Sequence, residues 1–212
     1  MNRLRSIILQ NCIGFLILIN TSIGVFAQNS PPHQILILGD SISAGYGLPM
    51  GTSWVNLLQD TLKKDQSKYS IVNSSISGET SAGGKTRLST LLQQHKPAIV
   101  IVELGANDAL RGFPLATTYQ NLQEIIQMSK NNGAKVLILG MKIPTNYGAE
   151  YTAQFSKMYV DLGKNTQSSL VPFFFEGIAT KREYFQEDGI HPNQNAQAIL
   201  LKNVLPTLKK LL

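Results

Sequence analysis

The sequence contains almost no cysteine and little charge. Cys12 is the only cysteine among its 212 residues, which excludes a disulfide scaffold and any Cys-x-x-Cys zinc or redox site. Charged residues make up 15% of the chain and hydrophobic residues 43%, so the composition excludes a largely disordered protein. No repeat, low-complexity stretch or long linker interrupts residues 34–212. We therefore expect one folded domain, large enough for a core that needs no disulfide or metal.

The basic residues form no long run, although the net charge is +6. A basic balance on its own would suggest a nucleic acid or a membrane surface as partner. Lys209 and Lys210 are too few to count as a basic run, and their place at the C-terminus fits the dipole of a final helix. We expect no nucleic-acid partner and only transient contact with anionic lipid surfaces.

The N-terminal segment has the features of a secretory signal peptide. Arg3 and Arg5 make the start cationic, Cys12–Ile19 is an unbroken apolar run, and the segment ends in the small-x-small arrangement that closes at Ala27. Cleavage there would leave residues 28–212 as a single exported domain, which fits the periplasm of a Gram-negative bacterium. The alternative is an uncleaved anchor, because residues 7–26 are about long enough to span a bilayer.

Short β-branched runs alternate with amphipathic stretches through the rest of the chain. The predicted strands are Gln34–Gly39, Tyr69–Asn73, Ala98–Glu103, Lys135–Gly140 and Leu170–Phe174. Helical spacing appears in Ser53–Lys64, Gly84–Gln94, Tyr119–Asn132, Tyr151–Asn165 and from Asn193 towards Leu212, where Pro206 is expected to kink or break the helix. This order predicts a three-layer α/β/α sandwich with a five-stranded parallel sheet. Pro172 places the fifth strand at an edge.

Small and polar residues of catalytic type follow most of the predicted strands, at the edge where ligands bind in such sheets. Asp188 and His191 are spaced so that the carboxylate can accept a hydrogen bond from Nδ1 while Nε2 faces the sheet edge. A histidine held in this way can act as a general base. Ser41, directly after the first strand, is the best-placed hydroxyl, so these three residues predict a Ser-His-Asp triad. Ser43 is the competing hydroxyl.

Three backbone and side-chain donors could stabilise an oxyanion beside this serine. Gly78 offers an N–H that the chain can bring close, Asn107 offers its carboxamide, and Ser41 offers its own N–H. The residue two after the serine is Ser43, so the turn is not a Gly-x-Ser-x-Gly elbow and an ordinary α/β-hydrolase is disfavoured.

These motifs together resemble the four sequence blocks of the SGNH, or GDSL, hydrolases. The blocks are Gly39-Asp40-Ser41, Gly78, Gly105-x-Asn107-Asp108 and Asp188-x-x-His191-Pro192, and the resemblance covers nearly all of residues 34–212. It implies a flavodoxin-like sheet, Ser41, Asp188 and His191 as triad, and Ser41, Gly78 and Asn107 as oxyanion donors. It also implies a monomer that hydrolyses small acyl or aryl esters and thioesters, including lysophospholipids, without metal or cofactor. Residues 112–118 and 146–151 would border the acyl groove.

Three other functions remain open at the level of sequence. A carbohydrate acetylesterase of the same family would use the same residues. A periplasmic lipid- or carbohydrate-binding module would explain the signal peptide but not the triad residues. Phosphoryl transfer through Asp40 is the third, although the chain has Ile42 where an acidic partner would be expected. Asp40 and Asp108 are interpreted instead as residues that hold their loops, and Glu103 as a buried group that needs a partner.

Overall fold

A computed structural model describes residues 33–212 of the protein. The predicted signal peptide lies outside these residues, so its cleavage site and the start of the domain at residue 28 stay predictions. The strands are β1 (His33–Gly39), β2 (Tyr69–Asn73), β3 (Ile99–Glu103), β4 (Lys135–Leu139) and β5 (Ser169–Val171). All neighbouring strands are parallel, in the order β2-β1-β3-β4-β5. The predicted five-stranded parallel sheet is confirmed.

The fifth strand lies at an edge of the sheet and ends just before Pro172. It is shorter than predicted because proline has no N–H to donate to a neighbouring strand. The chain leaves β4 at Gly140, whose N–H donates to Val171 O at 2.8 Å. A Cβ at Gly140 would overlap the carbonyl oxygen of Pro172, so a side chain there would force the two strand ends apart.

Within residues 33–212, seven helices connect and cover the strands. They are α1 (Ser41–Ala44), α2 (Trp54–Lys64), α3 (Ser81–His95), α4 (Ala106–Leu110), α5 (Leu115–Asn131), α6 (Ala149–Thr166) and α7 (Gln197–Leu208). Short 3-10 turns lie at Thr145–Tyr147, Arg182–Tyr184 and Gln194–Ala196. Helix α3 begins earlier than predicted because Thr80 caps it, its Oγ1 accepting from Gly83 N at 3.2 Å.

Of the two effects expected of Pro206, a kink or a break in the last helix, the break does not occur. Helix α7 continues to Leu208, and Pro206 lies on its exposed face one turn after Lys202, which is also exposed. The carbonyl that loses its partner therefore faces solvent, where water can bond to it. The helix begins at Gln197 because the preceding residues form a 3-10 turn in which Asn193 Oδ1 accepts from Asn195 N.

The core lies on both faces of the sheet. Helices α2 and α7 pack together, as do α3 with α5 and α5 with α6, so the sheet is enclosed between two helical layers. Strands β1 and β3 are central, and residues 35–38 and 99–102 are almost completely buried. Trp54, which sequence placed in the core, is fully buried with its ring 5.4 Å from that of Phe174. Within residues 33–212, no helix combines the length and the apolar character that crossing a bilayer requires.

Replacing Gln197 by Ala is expected to lower the free energy of unfolding by about 2 kcal/mol. Gln197 is buried, its Oε1 accepts from Trp54 N at 2.9 Å, and its Nε2 donates to Asn193 O at 3.0 Å. The variant leaves the N–H of Trp54 buried without an acceptor. Urea denaturation measures the change. The control is Gln127→Ala, where an exposed side chain loses one bond to Asn131 within α5. Equal costs for both variants would contradict the prediction.

Candidate active site

Ser41 lies at the carboxyl edge of the sheet because the chain turns into α1 directly after β1. Asp40 caps this turn: its Oδ1 accepts from Ile42 N at 2.9 Å, and its carbonyl accepts from Ala44 N at 2.9 Å. The turn ends at Gly45, where φ is +77°, in the left-handed region that favours glycine. The loop that carries Ser41 is therefore held by bonds within itself.

His191 and Asp188 lie in the loop that precedes α7, and the structure brings both to Ser41. Asp188 Oδ2 is 2.7 Å from His191 Nδ1, and His191 Nε2 is 2.8 Å from Ser41 Oγ. Asp188 Oδ1 accepts two backbone bonds, from Ile190 N at 2.9 Å and from His191 N at 3.0 Å. One carboxylate thus fixes both the backbone of this loop and the ring of the histidine. The arrangement allows His191 to take a proton from Ser41.

Two residues that the sequence did not suggest hold the histidine loop against the serine loop. Gln186 donates from its backbone N to His191 O and from Nε2 to Tyr46 O, both at 2.8 Å. The ring of Tyr46 lies over His191, with 4.6 Å between centroids and 42° between planes. Gln186 and Tyr46 are 140 positions apart, so no local pattern in the sequence links them.

Asn107 and Gly78, the other predicted oxyanion donors, lie on loops that meet the serine loop. Asn107 Nδ2 donates to Asp40 Oδ2 and to Glu79 O, both at 3.0 Å. It therefore connects the residue before Ser41 with the residue after Gly78. The backbone N–H groups of Ser41 and Gly78 have no hydrogen-bond acceptor among residues 33–212. Such free donors beside a hydroxyl can bind a developing negative charge.

Asp108 connects the loop that carries Gly78 with the loop that carries Asn107. Its two oxygens accept from Ser81 N at 2.9 Å and from Ser81 Oγ at 2.6 Å, and Asn121 Nδ2 in turn donates to Ser81 Oγ at 3.1 Å. Ser81 begins α3, which follows Gly78, whereas Asp108 lies in α4 beside Asn107. The sequence suggested that Asp108 holds its own loop. The structure shows that it holds a loop 27 residues earlier in the chain.

The competing hydroxyl, Ser43, does not face His191. It is fully buried, and its Oγ donates to Glu103 Oε2 at 2.8 Å. Glu103 Oε2 also accepts from Asp40 N at 3.2 Å, so this oxygen has the partners that its burial required, whereas Oε1 has none among residues 33–212. Asp40 is 1% exposed and bonded on both oxygens. A buried carboxylate with these partners is not placed to attack a phosphate, which argues against the phosphoryl-transfer alternative.

The fold lowers the pKa of one acid at the site and raises the pKa of two others. Desolvation raises the pKa of Asp188, but the hydrogen bonds from His191 N, Ile190 N and the His191 ring outweigh it and lower the pKa to about 2. Burial raises the pKa of Asp40 to about 6, against its hydrogen bonds and the charge of His191. Burial, together with the charge of Asp40, also raises the pKa of Glu103 well above its usual range.

In the part of the chain that the structure describes, no cluster of His, Cys, Asp or Glu is arranged to hold a metal ion.

Apolar side chains are exposed on the loops around this edge. They include Tyr46, Ile76, Phe113, Tyr147 and Ile190, each between 40% and 53% exposed. The two loops expected to border an acyl groove meet each other: Tyr147 Oη donates to Leu110 O at 3.2 Å, and Tyr151 Oη donates to Phe113 O at 2.9 Å. The polar site is thus surrounded by an apolar rim.

A serine and a histidine hydrogen-bonded at the carboxyl edge of a parallel sheet are typical of serine hydrolases, and comparison with known proteins identifies the family. Residues 37–199 match the GDSL-like lipase/acylhydrolase family, and the chain belongs to it. It is a serine hydrolase of carboxylic esters.

Three known proteins illustrate the similarity. Esterase TesA of Pseudomonas aeruginosa is 44% identical over 99% of this chain and 100% of its own. Thioesterase 1/protease 1/lysophospholipase L1 of Escherichia coli is 48% identical over 78% of each chain. The crystal structure of esterase EstA from Pseudoalteromonas sp., inhibited by monoethylphosphonate, superposes with a TM-score of 0.80 at 41% identity, covering 84% of this chain and 97% of its own.

We predict that Asp188 titrates with a pKa of about 2, against an ordinary value of 3.8. Its contribution to stability is therefore present above its ordinary pKa and is lost as the pH falls through about 2. In His191→Ala the pKa is expected to rise only part of the way, because the backbone donors at positions 190 and 191 remain. Carboxyl-carbon NMR, assigned with Asp188→Asn, measures both values. A wild-type value near 3.8 would show that these bonds do not form in solution.

Proposed function

We propose that the protein hydrolyses esters and thioesters through an acyl-enzyme on Ser41. The observation that carries the proposal is the hydrogen-bonded line from Asp188 through His191 to Ser41, with distances of 2.7 and 2.8 Å. In this line Ser41 is the nucleophile, His191 the general base and then acid, and Asp188 the residue that orients the ring and stabilises the imidazolium.

In the first half of the reaction, His191 Nε2 takes the proton of Ser41 Oγ as the oxygen attacks the carbonyl carbon of the substrate. The carbonyl oxygen becomes negatively charged and binds the N–H groups of Ser41 and Gly78 and the carboxamide of Asn107. When the tetrahedral intermediate collapses, His191 gives its proton to the departing alcohol or thiol. Ser41 is left as an ester of the acyl group.

In the second half, water replaces the leaving group and His191 removes a proton from it. The hydroxide attacks the acyl carbon, the same donors bind the oxyanion, and His191 returns the proton to Ser41 Oγ as the acid departs. Because the pKa of Asp188 is held near 2, its carboxylate stays charged throughout the physiological range and is available to the imidazolium in both halves.

The substrates are small acyl or aryl esters, thioesters and lysophospholipids. The names of the relatives support this range, since they include an esterase and a thioesterase that is also a lysophospholipase. The rim is compatible with this range, because the exposed rings of Phe113 and Tyr147 offer an apolar surface that an acyl chain can contact.

The proposed site of action is the periplasm of a Gram-negative bacterium, reached by cleavage after Ala27. The cationic start, the apolar run and the small-x-small end of residues 1–27 support export. The enzyme acts there as a monomer that touches lipid surfaces transiently, with the apolar rim and the net positive charge as the features that support such contact.

Replacing Ser41 by Ala is expected to abolish hydrolysis of p-nitrophenyl esters, because no other hydroxyl in the described residues bonds to His191. A fluorophosphonate probe should label the wild-type protein at Ser41, which fragmentation of the labelled peptide separates from Ser43. Ser89→Ala, an exposed serine on α3, is the control and should be labelled like wild type. Labelling of Ser43 in the Ser41→Ala protein would show that the nucleophile had been wrongly assigned to Ser41.

Replacing Asn107 by Ala should lower kcat by about 10² to 10³, corresponding to roughly 3 kcal/mol, with KM little changed. The carboxamide binds the oxyanion and not the planar ester, so its loss acts on the transition state. Steady-state kinetics with a short-chain ester measures the split. The control is Asn165→Ala, which removes an exposed carboxamide that donates to Tyr119. If the variant changed KM alone, Asn107 would contribute to binding of the substrate and not specifically to the transition state.

A further inference from the structure

The aspartate and the histidine of the proposed triad lie in a hairpin, residues 184–193, that is held together by its own bonds. Asn193 N donates to Tyr184 O at 2.8 Å. Gln186 N donates to His191 O over the same distance. At the tip, the aspartate accepts from two backbone N–H groups. These bonds hold the histidine against the aspartate, but they do not hold it against the serine.

Arg182 restrains the strand of the hairpin that leads to the aspartate. Its two η nitrogens donate to three consecutive carbonyl oxygens, with N–O distances from 2.5 to 3.0 Å; the carbonyls are those of Phe185, Gln186 and Glu187. A guanidinium group is planar and its donors point in fixed directions, so it favours one arrangement of these peptide groups. The hairpin is thus restrained up to its tip.

The hairpin and the serine loop, residues 40–48, share one hydrogen bond besides that between the histidine and the serine, within the described part of the chain. Gln186 Nε2 donates to Tyr46 O at 2.8 Å and to Pro192 O at 3.2 Å. The amide can serve both carbonyls because it carries two N–H groups. A Cβ at Gly47 would overlap Gln186 Oε1, so the amide lies directly against the serine loop.

The base of the hairpin is attached elsewhere. Gln197 Nε2 donates to Asn193 O at 3.0 Å, and its Oε1 accepts from Trp54 N at 2.9 Å at the start of α2. This attachment lies at the far end of the hairpin from the aspartate. The position of the tip relative to the serine loop therefore depends on Gln186 and on the bond between histidine and serine.

The second of these two bonds is absent during half of the proposed reaction. In the free enzyme, Ser41 Oγ is 2.8 Å from His191 Nε2 and donates its proton to it. In the acyl-enzyme the same oxygen belongs to an ester and has no proton to donate. His191 must still stay in place, because it removes a proton from the water that attacks the acyl carbon. The bond from Gln186 to the serine loop does not involve the serine hydroxyl and can persist.

We propose that Gln186 is a positioning residue that keeps His191 beside Ser41 while the serine carries the acyl group. The inference rests on the proposed function, in which an acyl-enzyme forms. Gln186 acts through the backbone, since it binds His191 O on one side and Tyr46 O on the other. The ring of Tyr46 over His191 belongs to the same contact, because Gln186 holds the residue that carries this ring.

The test separates acylation from deacylation in Gln186→Met, which keeps the length of the side chain and loses both donors. Acylation starts with the bond between histidine and serine in place, so kcat/KM should change little. Deacylation should slow about 5- to 10-fold, the rate equivalent of one neutral hydrogen bond. The substrate is a p-nitrophenyl ester, whose leaving group departs readily, so that deacylation limits kcat. We expect kcat and KM to fall together and acyl-enzyme to accumulate, measured by steady-state kinetics and by mass spectrometry of the intact protein.

Two further variants accompany this test. Gln186→Ala also lacks both donors and should show the same pattern as Gln186→Met. Gln154→Ala is the control, because it removes an exposed amide that donates to Glu150 within α6, and it should keep the kcat and KM of the wild type. A loss of kcat at unchanged KM would mean that both halves of the reaction, or the amount of active protein, had suffered equally. That result, or wild-type kinetics in both Gln186 variants, would overturn the proposal.

Fluorophosphonate labelling distinguishes failure of this inference from failure of the proposed function. The probe reacts with the nucleophile and needs no deacylation. If Ser41 is labelled and the Gln186 variants keep wild-type kinetics, only the role of Gln186 is overturned. If wild-type protein shows neither labelling of Ser41 nor an acyl-enzyme, the proposed function itself fails.

Discussion

The hydrogen bond between His191 Nε2 and Ser41 Oγ is the contact on which the site depends. It spans 2.8 Å in space and 150 residues in sequence, so nothing local can form it. The parallel sheet makes it possible because the loops after all its strands emerge at one edge. Each loop is then fixed separately: Asp40 caps the serine turn, Asp188 binds the backbone of the histidine loop, and Gln186 ties the two loops together.

The fold places acids near Ser41 in two contrasting environments. Asp188 lies at the surface and accepts several N–H bonds, which lower its pKa to about 2. Glu103 lies at the end of a central strand, where water is excluded and the neutral form is favoured. Separation of pKa values by environment lets one fold hold one carboxyl group with a lowered pKa and another with a raised pKa beside the loop of the same serine.

The sequence predicted the sheet, the edge position of the strand before Pro172 and the residues that meet at Ser41, because these depend on local pattern and on parallel strand order. It did not predict that Asp108 would bond to Ser81, or that Tyr46 would cover the His191 ring. Both contacts join elements far apart in the chain, and their partners are set by how helices pack on the sheet. Burial of Glu103 was foreseeable, whereas its partners were not, because strand register decides which backbone N–H it reaches.

The site has a polar floor, formed by Asp40 and Asp108 with their hydrogen-bond donors, and an apolar rim. The two parts are held by different kinds of contact. In the floor, each carboxyl oxygen of Asp40 and Asp108 has a specific donor, so a change of one atom leaves a buried group unpaired. In the rim, Phe113 and Tyr147 are exposed, and the bonds that hold their loops end on backbone carbonyls, which any residue supplies. Phe113 supplies only its carbonyl to these bonds and can therefore change without disturbing them, whereas Tyr147 donates the bond to Leu110 O. The polar contacts around Ser41 and the apolar character of the rim are for this reason separable properties of the fold.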